Sequence, residues 1–163
     1  MTLLRTLPVF EGLDTEQLSA VAGALVPRRV GPGVDIFTEG ERSTSLFIMT
    51  AGAVGTSKRM GLAAQDAGTG ARQKVLVHLR APQFFGEMGL LTDLERSATI
   101  TTDTECELLE LSRSEFDRLV MADARLGYRL VRNIAVVLAD RLRRSDLDVL
   151  KLTTALSLAL GNR

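Results

Sequence analysis

The sequence predicts an α+β protein: an antiparallel, jelly-roll-like β-roll of about eight strands, flanked by one N-terminal helix and two C-terminal helices, the last one long. Three observations carry this. Short apolar runs broken by glycine fill residues 29–111, with glycines at 31, 33, 40, 52, 55, 61, 68, 70, 86 and 89 marking turns that need positive φ. A helix-start signature precedes them. After them, apolar residues recur at alternating steps of four and three almost to the end of the chain.

Bulk properties narrow the function classes. A chain of 163 residues suits one domain with a real core and no need of disulfides. Twenty basic and twenty acidic residues cancel, so no overall field recruits nucleic acid or an anionic membrane. Cys106 is the single cysteine and lies in an alternating segment, which suggests a buried, inert thiol. The N-terminus lacks the charged-then-apolar run of a signal peptide, and no apolar stretch is long enough to span a bilayer. A cytoplasmic location without a membrane partner is therefore expected.

In chain order, Leu13-Asp14-Thr15-Glu16-Gln17-Leu18 opens a helix. Asp14 can cap it, Gln17 can answer from the third helical position, and Leu13 with Leu18 can form a staple. Leu18, Val21, Ala22 and Leu25 line one face, and Pro27 is expected to end the helix. The clearest strands are Val34–Ile36, Leu46–Met49, Val75–Leu79, Ala98–Ile100 and Cys106–Leu108. Residues 60–73, rich in Gly and Ala and poor in β-branched types, read as a hairpin loop.

Helical pattern returns after Leu111. Ser112-Arg113-Ser114-Glu115 has the form of a capping box for a short helix that turns Phe116, Leu119 and Val120 inward. Asp123 can cap the long helix. Along it Val131, Ala135, Leu138, Leu142, Ser145, Val149, Leu152, Leu156 and Ala159 form an a/d seam, which argues for a homodimer through a two-stranded coiled coil. Residues 124–138 are expected to pack on the roll as well. Arginines 125, 129, 132, 141, 143 and 144 are interleaved with Asp140, Asp146 and Asp148, so a solvated face with Asp140–Arg144 pairing is the expected account.

The stretch most informative about function is F-G-E-M-G-L-L-T-D-L-E-R-S-A-T, residues 85–99. Gly86 lets backbone approach a ligand. The turn from Met88 through Gly89 to Leu91 offers N–H groups at a helix start, where anions are favoured. Arg96 can grip two phosphate oxygens with its planar fork, and Glu87 as an acceptor suits a sugar hydroxyl.

Phe85-Gly86-Glu87, then Leu90-Leu91, then Arg96-Ser97-Ala98 resemble the phosphate-binding cassette of cyclic nucleotide-binding domains, as found in the catabolite activator family and the regulatory subunits of cyclic-nucleotide-dependent kinases. The resemblance implies that Glu87 holds the ribose 2′-hydroxyl, that Arg96 takes the cyclic phosphate, and that Ser97 and the cassette N–H groups add donors. Gly33, Gly40 and the Gly52-Ala53-Val54 step resemble the structural glycines of that family's β-roll and are expected to make turns. Leu76 and Val77 are expected in the apolar wall of the pocket. Base contacts in the family come from the long helix, which makes Val137 and Arg141 candidates; Leu90 or Leu91 against Phe116 would relay ligand entry. Serine at 97, where cGMP-selective relatives often carry threonine, favours cAMP over cGMP.

The resemblance covers about residues 3–145 and includes no helix-turn-helix, so direct DNA binding is not expected. Residues 1–145 are expected to form the cyclic nucleotide-binding domain and 146–163 an extension of the long helix for dimerisation or for docking on an effector protein. Catalysis is not expected. One histidine, His78, cannot furnish a metal-dependent cupin or a Ser-His-Asp set, Cys106 cannot hold an iron–sulfur cluster, and no cofactor other than the nucleotide ligand is implied. The alternative to a stand-alone cyclic nucleotide receptor is a degenerate, ligand-free module of the same fold that serves as a dimerisation or interaction scaffold.

Overall fold

A computed structural model describes residues 2–59 and 73–161; of Thr2, residues 73–76 and Gly161 only the backbone is described. The predicted loop 60–73 thus lies almost wholly outside the described residues, as do the side chains of Val75 and Leu76.

The chain begins with a short helix α1 (Thr2–Arg5) and a 3-10 turn (Pro8–Phe10) that opens on a proline; neither was expected from the sequence. Helix α2 (Thr15–Ala24) starts as expected. Asp14 accepts from the Gln17 N–H at 2.9 Å and the Gln17 side chain accepts from the Asp14 N–H, which completes the reciprocal box. Pro27 does not stop this helix. Leu25 already has extended backbone, and Pro27 sits inside strand β1 (Val26–Val30), an edge strand among the described residues, where a missing N–H is tolerated.

Strands β2 (Asp35–Phe37), β3 (Leu46–Ala51), β4 (Ala53–Arg59), β5 (Gln73–Arg80), β6 (Gln83–Phe85), β7 (Thr99–Thr102) and β8 (Cys106–Leu111) complete the roll, with helix α3 (Glu87–Leu91) between β6 and β7. They form two antiparallel four-stranded sheets, ordered β1-β8-β3-β6 and β2-β7-β4-β5. Gly52 holds φ 99° between β3 and β4, and a Cβ there would lie 2.5 Å from the Glu105 carbonyl, so this turn requires glycine.

Strand β3 shows why Leu-Phe-Ile-Met is continuous rather than alternating. Leu46 and Ile48 point into one core, built with Val9, Phe10, Leu18, Leu126 and Leu130 of the helical layer. Phe47 and Met49 point into a second core between the sheets, with Phe37, Val54, Phe85 and Cys106. A strand covered on both faces has no polar side to display.

Helices α4 (Arg113–Ala122) and α5 (Ala124–Gly161) close the structure. Ser112 caps α4 through the Glu115 N–H, but the Glu115 carboxylate turns to Arg118 rather than back to the cap, so half of the expected box forms. Asp123 accepts from the N–H groups of Arg125 and Leu126 and from Gln17 Nε2 at 2.8 Å, joining α2 to the start of α5. These bonds, the Gln17 contact foremost, hold its carboxyl below the usual aspartate range. Leu126, Leu130 and Ile134 bury against the roll, and Asn133 donates to the carbonyls of Val9 and Glu11. Of the seam residues, Leu138 packs partly on that core, whereas Val131, Leu142, Val149, Leu152 and Leu156 are exposed. Asp140 pairs with Arg143 at 3.7 Å, not with Arg144 as expected, since the shorter i,i+3 step suits its reach.

Candidate functional site

The cassette occupies the end of β6, helix α3 and the segment leading to β7. Gly86 adopts φ 83° and caps α3, and a Cβ on it would stand 2.9 Å from Arg96 Nη1 and from the Ser45 carbonyl. Gly89 has ordinary helical backbone, yet a Cβ there would stand 2.6 Å from Arg96 Nη1 and from the Ser43 carbonyl. Both glycines are thus required by one guanidinium lying directly beneath them.

That guanidinium is only 4% exposed. Arg96 Nε donates to Ser43 Oγ at 2.7 Å, Nη1 to the Gly86 carbonyl at 2.9 Å and Nη2 to the Ser45 carbonyl at 2.8 Å, while the group lies 3.9 Å over the Phe37 ring. Three of its five N–H groups are therefore held by the protein, and one on each terminal nitrogen has no partner among the described residues. Burial lowers its pKa, and the nearby carboxylates of Glu41, Glu87 and Glu110 oppose that shift. The expected free fork is instead a partly engaged cation. Ser43, Ser45 and Phe37 went unrecognised in the sequence because they arrive from a distant loop and strand without local pattern.

Glu87 is 5% exposed. Its Oε1 accepts from Arg141 Nη1 of α5 at 2.7 Å, whereas Oε2 is buried with no partner among the described residues. Arg141 also donates to the Phe84 carbonyl at 2.8 Å and lies 5.1 Å over the Phe84 ring. The long helix is thereby fastened to the cassette at the glutamate. Arg141 lines the pocket beside Glu87.

One cavity of about 140 Å³ gathers Gly86, Glu87, Met88, Gly89, Arg96, Ser97 and Arg141. Phe37, Leu79, Phe85 and Ile100 provide its apolar wall and Thr56 a polar flank. Val77 is not among the residues lining that wall: it is 53% exposed midway along β5, and Leu79, two residues on and therefore on the same strand face, lines it instead. The Leu76 side chain lies outside the described residues. Val137 packs on the helical core. Leu90, 2% exposed, shares that core with Phe116, while Leu91 is 37% exposed.

A second tether escaped sequence reasoning. Arg113, legible there only as part of a capping box, reaches from α4 to the carbonyls of Gly89 and Thr92 and to Asp93, gripping the far end of α3. His78 on β5 pairs with Asp103 at 2.8 Å and is largely exposed. Among the described residues no cluster of His, Cys, Asp and Glu could hold a metal ion, and no helix is long and apolar enough to cross a membrane.

Comparison with known proteins agrees with this geometry. Residues 27–123 match the cyclic nucleotide-binding domain, and the chain belongs to that family. The cAMP-dependent protein kinase regulatory subunit of Yarrowia lipolytica is 28% identical over 72% of this chain and 28% of its own length. The cyclic AMP receptor protein of Thermus thermophilus is 30% identical over 87% of this chain and 60% of its own length. The crystal structure of Thermus thermophilus catabolite activator protein superposes with a TM-score of 0.74, 29% identity, and coverage of 90% of this chain and 63% of that one. This chain spans less than two thirds of each. The family is one of regulatory binding domains, homologous to kinase regulatory subunits and catabolite activators.

Proposed function

We propose that this protein is a stand-alone cyclic nucleotide receptor, preferring cAMP to cGMP, that signals by repacking α4 and α5 over the cassette. The observation that carries this reading is Glu87 Oε2, a buried acceptor with no donor among the described residues, beside a buried cation. A lone-pair site that has lost water and gained no hydrogen bond is unfavourable by about 1–3 kcal/mol, and a ribose hydroxyl would relieve it. The unoccupied N–H on each terminal nitrogen of Arg96 would meet the cyclic phosphate, with Ser97 as a neighbouring donor. The names of both relatives refer to cyclic AMP, and serine at 97 favours the same ligand.

The cavity of about 140 Å³ is smaller than the roughly 300 Å³ at which ligand pockets begin. Entry therefore requires widening, and Arg141 is the side chain whose withdrawal from Glu87 would widen it. Because Arg141 rides on α5 and Arg113 on α4, displacement at the cassette is felt by both helices. The response is a population shift between two packings, limited by the ligand's differential affinity for them. The exposed seam from Val131 to Leu156 would join two copies, with residues 146–163 extending the contact.

A second reading has one specific support. Arg96 already satisfies Ser43, Ser45 and Gly86, so the cassette is stable without an anion, as in a ligand-free scaffold. Isothermal titration with cAMP and cGMP, with light scattering on the same samples, separates the two. The receptor reading expects saturable heat, tighter for cAMP, from a dimer. Absence of heat with either nucleotide would overturn it in favour of the scaffold.

A further inference from the structure

Helix α5 carries three faces. One packs Leu126, Leu130 and Ile134 on the roll, and a second bears the charge-free seam of Val131, Leu142 and Val149. The third begins with Arg125, Arg129, Arg132 and Val136 at steps of four, three and four. After Arg143, which is paired with Asp140, it resumes in the same register with Leu147, Leu150 and Leu158, interrupted by Thr154, more than a third of a turn from the seam. All of these residues are exposed along some 50 Å of helix. Arg125 and Arg132 have no acidic partner among the described residues, and Arg129 uses one nitrogen on the Gly12 carbonyl. Beside them Tyr128 is 69% exposed, and Glu11 with Gly12 forms the opposite lip of a groove against the helix.

This stripe is cationic over its first half and mainly apolar over its second, whereas the seam is charge-free along its length. A second copy does not fit it. Parallel pairing would set three arginines against three, and antiparallel pairing would press guanidinium groups onto leucines that offer no acceptor. We infer that the stripe docks an amphipathic helical segment of another protein, acidic where it meets Arg125, Arg129 and Arg132 and apolar where it meets Leu147, Leu150 and Leu158. Apolar anchors supply the contact area and carboxylates set register and direction, as in helix-in-groove recognition. The surface is separate from the cavity at Glu87 and Arg96, so a docked segment and a nucleotide would not compete for the same residues.

Fluorescence anisotropy of a labelled alanine-based helical peptide tests this with the full chain. The peptide carries glutamates at heptad steps in one half and leucines in the other, and is made in both chain directions. One direction is expected to bind, with affinity falling at least about tenfold when its glutamates become glutamines and when salt is raised. Arg125→Glu with Arg132→Glu, and separately Leu147→Ser with Leu150→Ser, should each weaken binding about tenfold or more. Arg125→Gln with Arg132→Gln serves as the milder pair if charge reversal perturbs folding, judged by circular dichroism. Failure of both peptides to bind, equal affinity for the glutamine form, or indifference to the arginine variants would overturn the inference. Equally tight binding of single-stranded RNA or anionic vesicles would make this a general polyanion surface. A lower chain stoichiometry of the leucine variants by light scattering would make it a self-contact, and either result contradicts the proposal.

Discussion

Replacing Arg141 by alanine tests whether the long helix is fastened to the cassette by one ion pair. Arg141 donates to Glu87 Oε1 at 2.7 Å and to the Phe84 carbonyl at 2.8 Å, and covers the Phe84 ring. Truncation leaves the Glu87 carboxylate, already lacking a partner on Oε2, with none at all in a site where its side chain is 7% exposed. Breaking a fully buried pair in this way costs about 3–5 kcal/mol. The Arg141 side chain is 35% exposed, so water screens the pair and the expected loss drops to about 2–3 kcal/mol. Urea unfolding of the ligand-free protein should show it as a lower midpoint at constant slope. Glu87→Gln in the Arg141→Ala background should recover part of the loss, because a buried amide is less unfavourable than an unpaired carboxylate; a double-mutant cycle then gives a coupling of about 1 kcal/mol or more. A loss under about 0.5 kcal/mol with no coupling would refute the tether.

Other consequences are separable. Gly89→Ala forces a methyl to within 2.6 Å of the Ser43 carbonyl and the Arg96 guanidinium, and should destabilise by about 1–3 kcal/mol in thermal unfolding. Gly23→Ala, on α2 with nothing within 4 Å, should instead stabilise by about 0.5–1 kcal/mol. The depressed carboxyl of Asp123 contributes stability that is full above the ordinary aspartate range and is lost as pH falls below about 4, so Asp123→Asn should flatten the acid limb of a melting-temperature profile. Burial raises the Cys106 thiol pKa, so alkylation near neutral pH should follow global unfolding and be slow in the native protein, as mass spectrometry would show. Leu79→Ala should weaken nucleotide binding in calorimetry, while Val77→Ala leaves it within about twofold.

The parts legible in the sequence are those set by local chemistry. The α2 box, the Asp123 cap, the glycine turns at 33, 40 and 52, and the strand runs around Leu46 and Cys106 all obey rules that act within a few residues. Strand β4 was hidden because Ala53, Gly55 and Ser57 have weak β propensity and are recruited by pairing on both sides. Strand β1 was hidden by Pro27, which an edge strand tolerates. In the site, Gly86, Glu87, Gly89, Arg96 and Ser97 were readable as a cassette. The Arg96 cradle of Ser43, Ser45 and Phe37 was not, nor was the Arg113 grip, since these contacts are made by residues 20–60 positions apart whose types carry no pairing signal. The Val77 expectation failed through the same ignorance of register: alternation names a face, not how far along the strand the pocket extends.

The receptor proposal turns on Glu87 Oε2, which has no donor among the described residues and would accept one from a ribose hydroxyl. Calorimetric titration of the wild-type protein with cAMP and with its 2′-deoxy analogue tests it directly. The expected result is saturable binding of cAMP and a loss of about tenfold or more for the deoxy compound, the range for leaving one buried acceptor unpaired. Equal affinity for the two nucleotides would contradict the account.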